Sequence, residues 1–254
     1  MLFKLDHLFK YIKECKEPNE YSLTPYLVDD DNIHPAAIIC PGGGYRMVCN
    51  HMEGKPIAQY LNSKGINAFV LHYRVKEKAI FPNPILDLVH AVKDLIDNQQ
   101  QYHVDMNNYA IFGFSAGGHM AGLYGTREYG YKKYDLPKPN LLGLIYPVIT
   151  LDKNHTHLGT RKHFTKDGTS IEALEAGEVY KHVDYEYPKT FIWRGDIDKS
   201  VPHISSDLMI DTLEEYHIPH IGIKYDKVPH GVGLGLGTKA EGWIDQAINF
   251  WLNR

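Results

Sequence analysis

Apolar positions along this chain follow two rhythms. Short apolar runs fall at 36–40, 68–72, 109–113, 141–146 and 190–193, and Pro41, Gly113 and Pro147 end three of them. Runs this short that do not alternate read as strands covered on both faces, as in a parallel sheet. Segment 21–28 alternates and is closed by Asp29-Asp30-Asp31-Asn32, which predicts an early strand; 221–228 predicts a late one. Between them the period changes. Ile85, Leu88, Val89, Val92, Leu95 and Ile96 recur at helical spacing and predict a helix over 84–99. Further helices are expected over 56–63, stopped by Gly65, over 115–124, and over 241–253 with Trp243, Ala247, Phe250 and Trp251. Strands alternating with helices define an α/β fold around a mostly parallel sheet.

The interval 147–188 breaks this alternation. It begins polar, with His155, His157, Arg161, Lys162 and His163, and then offers a short helix around 171–180. An excursion of this length between core strands is commonly a lid or pocket wall. The expectation is one domain over 1–254 with 147–188 as an insertion within it. The basic stretch 153–166 reads as a solvated loop rather than an anion site.

Composition narrows the function classes. Of 254 residues, 43% are hydrophobic and 23% charged, with a net charge of −4, which excludes a disordered or collagenous chain and leaves no basic footprint for nucleic acid. No uncharged apolar run approaches the roughly 20 residues that span a bilayer. Lys4, Asp6, His7, Lys10 and Lys13 interrupt the N-terminal apolar residues, which argues against a signal peptide. Leu5, Leu8, Phe9 and Ile12 are expected to dock on the core rather than on a membrane. Cys15, Cys40 and Cys49 are odd in number and lack metal-ligand spacing, so the expected setting is reducing and cytoplasmic, with no metal and no cofactor. The oligomeric state is not legible in the pattern.

The chemistry starts at Gly113-Phe114-Ser115-Ala116-Gly117, a G-x-S-x-G run between a predicted strand and a predicted helix. A sharp strand-to-helix turn there lifts the serine hydroxyl above the sheet edge. The triple glycine Gly42-Gly43-Gly44 follows an earlier buried strand, where backbone donors are needed to stabilise an oxyanion. The expected donors are the N–H groups of Gly43, Gly44 and Ala116. Serine needs an oriented base. Asp196 and Asp198 follow one late strand and His230 the next, which supplies the order Ser, acid, His; strand position alone leaves the two aspartates open.

These residues, with 68–74, Gly117-Gly118-His119, 146–150 and 191–193, resemble the esterase/lipase branch of the α/β-hydrolase superfamily, in particular acetyl esterases and acetylxylan-esterase-like proteins. The resemblance runs from about Ala36 to Gly231. It implies an α/β-hydrolase fold of eight strands, one antiparallel, and favours Asp198 as the acid, four residues before the proline of Val201-Pro202. Pro41 stands where related lipases carry histidine. The expected function is a serine carboxylesterase acting on short-chain acyl esters of small molecules, acetylated carbohydrates foremost. A peptidase, a thioesterase or a non-catalytic homologue are the alternatives. Catalysis is assigned to Ser115, Asp198 and His230, and Tyr45, Arg46, Tyr73 and Tyr146 are expected to line the substrate site. His119, one helical turn after Ser115, is expected to pack beneath it. His155 and His157 lack the neighbours of a metal site, and Gly231–Gly237 departs from a dinucleotide loop at Leu236 and Thr238.

Overall fold

The computed structural model of this chain describes residues 20–254. The N-terminal positions Leu5, Leu8, Phe9, Ile12 and Cys15 lie outside them. Strands β1 (Ser22–Tyr26), β2 (His34–Cys40), β3 (Asn67–His72), β4 (Val104–Phe114), β5 (Leu141–Ile145), β6 (Thr190–Gly195) and β7 (His220–Tyr225) form one sheet in the order β1-β3-β2-β4-β5-β6-β7. β1 runs antiparallel to β3 and all other pairs are parallel. The sheet therefore has seven strands among the described residues, not eight. Position in the sheet explains the two apolar patterns. β3, β5 and β6 are buried along their whole length, whereas the edge strands β1 and β7 have only half-buried and exposed positions.

Helices cover both faces. α2 (Lys55–Ser63) and α8 (Trp243–Leu252) pack Ile57, Leu61, Trp243 and Trp251 on one side, against Phe112 and Phe191. α3 (Asn83–Asp97), α4 (Ala116–Tyr124) and α7 (Ile204–Glu215) cover the other with Leu88, Val92, Met120, Met209 and Leu213. Truncating a fully buried residue such as Leu88 to alanine would cost about 2–5 kcal/mol. The one-turn helix α1 (Asn50–Glu53) leads into α2. From β2 the chain goes to β3 on one side and returns to β4 on the other. The direction of winding thus reverses between β2 and β4, and ligands bind outside the carboxyl ends of strands at such a point.

The insertion is better anchored than its polar sequence suggests. It contains α5 (Leu158–Phe164), α6 (Ile171–Ala176) and a 3₁₀ turn, Val179–His182. Lys153, Lys162 and Lys166 are exposed, as a solvated loop requires, but Thr160 and Phe164 are fully buried. Phe164 stacks on Tyr45 at 5.6 Å and meets His119 edge-on at 4.7 Å. Glu178 accepts hydrogen bonds from Thr150 Oγ1 and from the Leu151 N–H, 2.7 and 2.8 Å long, which ties the far end of the insertion back to its start.

Candidate active site

Ser115 is the single residue between β4 and α4, and its backbone is strained: φ is 53° and ψ −116°. The surroundings hold it there. Its N–H donates to Ile145 O at 3.0 Å and its carbonyl accepts from Val148 N–H at 3.1 Å. Glycine at 117 is obligatory, since a Cβ there would lie 2.0 Å from Cys40 O; the start of α4 rests directly on the end of β2. At Gly42 a Cβ would come within 2.8 Å of Ser115 Cβ, so the triple-glycine loop and the elbow are in contact.

The ends of four strands meet here. Ser115 Oγ lies 2.9 Å from His230 Nε2, and His230 Nδ1 lies 2.6 Å from Asp198 Oδ2. The carboxylate accepts the Nδ1 proton, so Nε2 presents its lone pair to the serine hydroxyl. Asp198 Oδ1 accepts the N–H groups of Ser200 and Val201 at 2.8 and 2.9 Å. Burial by itself would raise the Asp198 carboxyl; the hydrogen bond and charge of His230 and the two backbone donors outweigh it and hold the group below the ordinary aspartate value. Asp196 is placed differently. Its Oδ1 accepts the Lys227 N–H, and its own N–H donates to Tyr225 O at 3.0 Å, so it staples the loop after β6 to the loop after β7.

Gly43, Gly44 and Ser115 line a cavity of about 390 Å³ together with Arg46, His157 and His230. Gly43 and Gly44 take φ values of 126° and 63°, which L side chains rarely adopt. Ala116 opens α4, where the first N–H groups have no acceptor inside the helix. Three of the four expected wall residues are elsewhere. Tyr45, Tyr73 and Tyr146 are buried and do not line the cavity; only Arg46 does. Each hydroxyl is engaged inside the protein instead: Tyr45 donates to His119 Nδ1 at 3.0 Å, Tyr73 to Pro41 O at 2.7 Å, and Tyr146 to Glu53 Oε1 at 2.8 Å. The physical reason is that a phenol buried in the core still finds a polar partner, so proximity to a loop does not turn its ring outward.

His119 packs beneath the elbow as expected. It is fully buried, donates from Nε2 to Gly177 O at 2.9 Å, and burial pushes its pKa down to about 4. His155 pairs with Asp152 at the surface, whereas His157 turns inward and caps α5. Glu53 was not anticipated. Only 2% exposed, it accepts the Gly42 N–H at 2.7 Å through Oε2 and the Tyr146 hydroxyl through Oε1. Tyr146 in turn accepts the Gly233 N–H at 3.1 Å, and its ring lies 4.7 Å from that of His230. One carboxyl thus joins the glycine loop to the histidine loop in the lining of the cavity. Desolvation raises its pKa, partly offset by the charge of His230 and by its two hydrogen bonds. A single Glu in the mostly polar segment 50–55 carries no signal of burial in the sequence.

The sheet order, the strained serine elbow and the glycine loop at the winding reversal define an α/β-hydrolase. The sequence profile of the BD-FAE family matches residues 26–213, and the chain belongs to that family. It is 30% identical over 231 residues to an endo-1,4-beta-xylanase B of Butyrivibrio fibrisolvens, covering 87% of this chain and 36% of that protein. It is 27% identical to an acetylxylan esterase of Xylanibacter ruminicola, covering 85% of this chain and 45% of that one. The chain therefore spans less than half the length of these two relatives. The crystal structure of an acetyl ester-xyloside bifunctional hydrolase from Caldicellulosiruptor lactoaceticus superposes with a TM-score of 0.80 at 31% identity, covering 91% of this chain and 85% of that one. Among the described residues, no helix is long and apolar enough to cross a membrane.

Proposed function

We propose that this chain is a serine carboxylesterase that removes short acyl groups, acetyl foremost, from hydroxyls of carbohydrates. The observation that carries the reading is the continuous hydrogen-bond line from Ser115 Oγ through His230 to Asp198, opening on a cavity of about 390 Å³. Ser115 Oγ attacks the ester carbonyl as His230 Nε2 takes its proton. Asp198 stabilises the resulting imidazolium and fixes its tautomer. The carbonyl oxygen, now carrying the negative charge, moves into the N–H groups of Gly43, Gly44 and Ala116. His230 then returns the proton to the departing alcohol, leaving an acyl-Ser115. Water, deprotonated by the same imidazole, releases the acid.

The cavity volume sits near the small end of the range for ligand sites, which favours short acyl chains. The names of the xylan-processing relatives support a sugar as the alcohol portion. Cys40 is a buried free thiol, in keeping with a reducing, cytoplasmic setting. A fluorophosphonate that labels wild type but not Ser115→Ala, followed by a panel of acetyl esters, thioesters and peptides, tests the reading. Absence of label, or turnover confined to thioesters or peptides, overturns it.

A further inference from the structure

His157 sits in the wall of the catalytic cavity, and its ring is held in a slot. A Cβ on Gly44 would come within 2.9 Å of its Cε1, and one on Gly159 within 2.8 Å, so two glycines leave the space that the imidazole fills. One nitrogen is committed. Nδ1 accepts the Thr160 N–H at 3.1 Å, closing the N-terminus of α5, and lies 2.9 Å from Thr160 Oγ1. A nitrogen that accepts a backbone N–H bears no proton, so in the neutral ring the proton is on Nε2. Burial lowers the pKa of His157, and the nearby His230 imidazole and Arg46 guanidinium add to this against the opposing carboxylate of Asp198. The Nε2–H has no protein partner among the described residues. The capping bond therefore leaves a fixed donor in a wall that Arg46 and His163 continue.

We propose that His157 Nε2–H is a specificity contact, donating to an oxygen on the alcohol side of the substrate, the hydroxyl- and ether-rich portion of an acylated sugar. This rests on the Ser115 esterase reading above. The other parts of an ester offer no use for this donor. The carbonyl oxygen already has backbone N–H groups, and a short acyl chain carries no acceptor. A wall of His157, His163 and Arg46 suits a partner with several oxygens.

The test uses His157→Asn in the full chain. Asparagine is a good N-cap and keeps the bond to Thr160 N–H, but its shorter side chain withdraws the donor from the cavity. Hydrolysis of acetylated xylooligosaccharide and of 4-nitrophenyl acetate, which lacks sugar oxygens, is compared at equal folding by circular dichroism. The expected result is a loss in kcat/KM of about tenfold on the sugar ester, the worth of one good hydrogen bond, with the aryl ester within about twofold of wild type. Equal losses on both substrates, or none on either, overturn the proposal. Wild-type turnover of the aryl ester without turnover of the sugar ester would instead remove the carbohydrate part of the functional reading, and this proposal with it. No wild-type turnover of either would remove the esterase reading itself.

Discussion

The rim around Ser115 and the 147–188 segment that forms one wall beside it are made of different materials. At the rim the oxyanion donors of the proposed mechanism are backbone, the Gly43, Gly44 and Ala116 N–H groups, beside a glycine-lined contact between the end of β2 and the start of α4. The insertion contributes side chains, with His157 and His163 in the cavity wall and Phe164 as the anchor behind them. A rim of this kind depends on where strands end and on glycines that admit no side chain. A wall of side chains can change one contact at a time. On this reading, reaction and selectivity reside in separable parts of the molecule.

The sharpest way to break that separation is Ser115→Ala, expected to lower kcat by about 10⁶ with an unchanged circular dichroism spectrum. If a folded insertion variant does the same damage on an aryl acetate, the division fails. Asp198→Asn comes next, with kcat expected to fall by about 10⁴ at neutral pH because the amide favours the wrong imidazole tautomer. Asp196→Asn should stay active and instead lose about 1–2 kcal/mol in urea denaturation, since the Lys227 N–H exchanges a charged acceptor for a neutral one.

The junction of the two regions gives a third expectation. His119 faces Tyr45, Phe164 and Gly177 O, and its pKa falls from 6.5 unfolded to about 4 folded. Between those values the unfolded chain binds the extra proton, so its contribution to stability is complete above pH 6.5 and is lost as pH falls toward 4. The loss is about 3 kcal/mol. Urea midpoints across this range should show it, and His119→Gln should flatten the slope. The smallest effect concerns the cavity. Acetyl and propionyl esters should exceed octanoyl esters by about tenfold in kcat/KM; a steady rise toward eight carbons would mean the wall yields to long chains.

Much of the rim was legible because its chemistry demands particular residue types at particular joints. Gly113, Ser115 and Gly117 announce an elbow, and the buried runs at β2, β4 and β6 place the loops that follow. The acid was only half legible. Strand position admitted Asp196 as well as Asp198, and the family spacing to Pro202 made the choice. α7 escaped because its buried face includes Ser205, Ser206 and Thr212 beside Met209 and Leu213, so hydrophobicity does not follow its period. The tyrosines misled for the opposite reason: Tyr45, Tyr73 and Tyr146 sit at loop entrances in the sequence, but their hydroxyls find partners within the core. Glu53 and His157 look like ordinary polar residues until Gly42, Gly44 and Gly159 are seen beside them.

The helix behind Ser115 has a consequence for how the domain fails. α4 is nine residues long and includes Gly117, Gly118 and Gly122, each about 1 kcal/mol worse than alanine in a helix. A segment of that length and composition does not hold its own shape. All of it is buried, so its order is supplied by α3 and by β2, β4 and β5 packed around it. Its amides should then exchange with solvent only when the whole sheet opens, and heat should abolish Ser115 labelling at the same temperature as it melts the sheet. Local loosening can alter what enters the cavity; the Ser115 elbow itself persists until the domain unfolds.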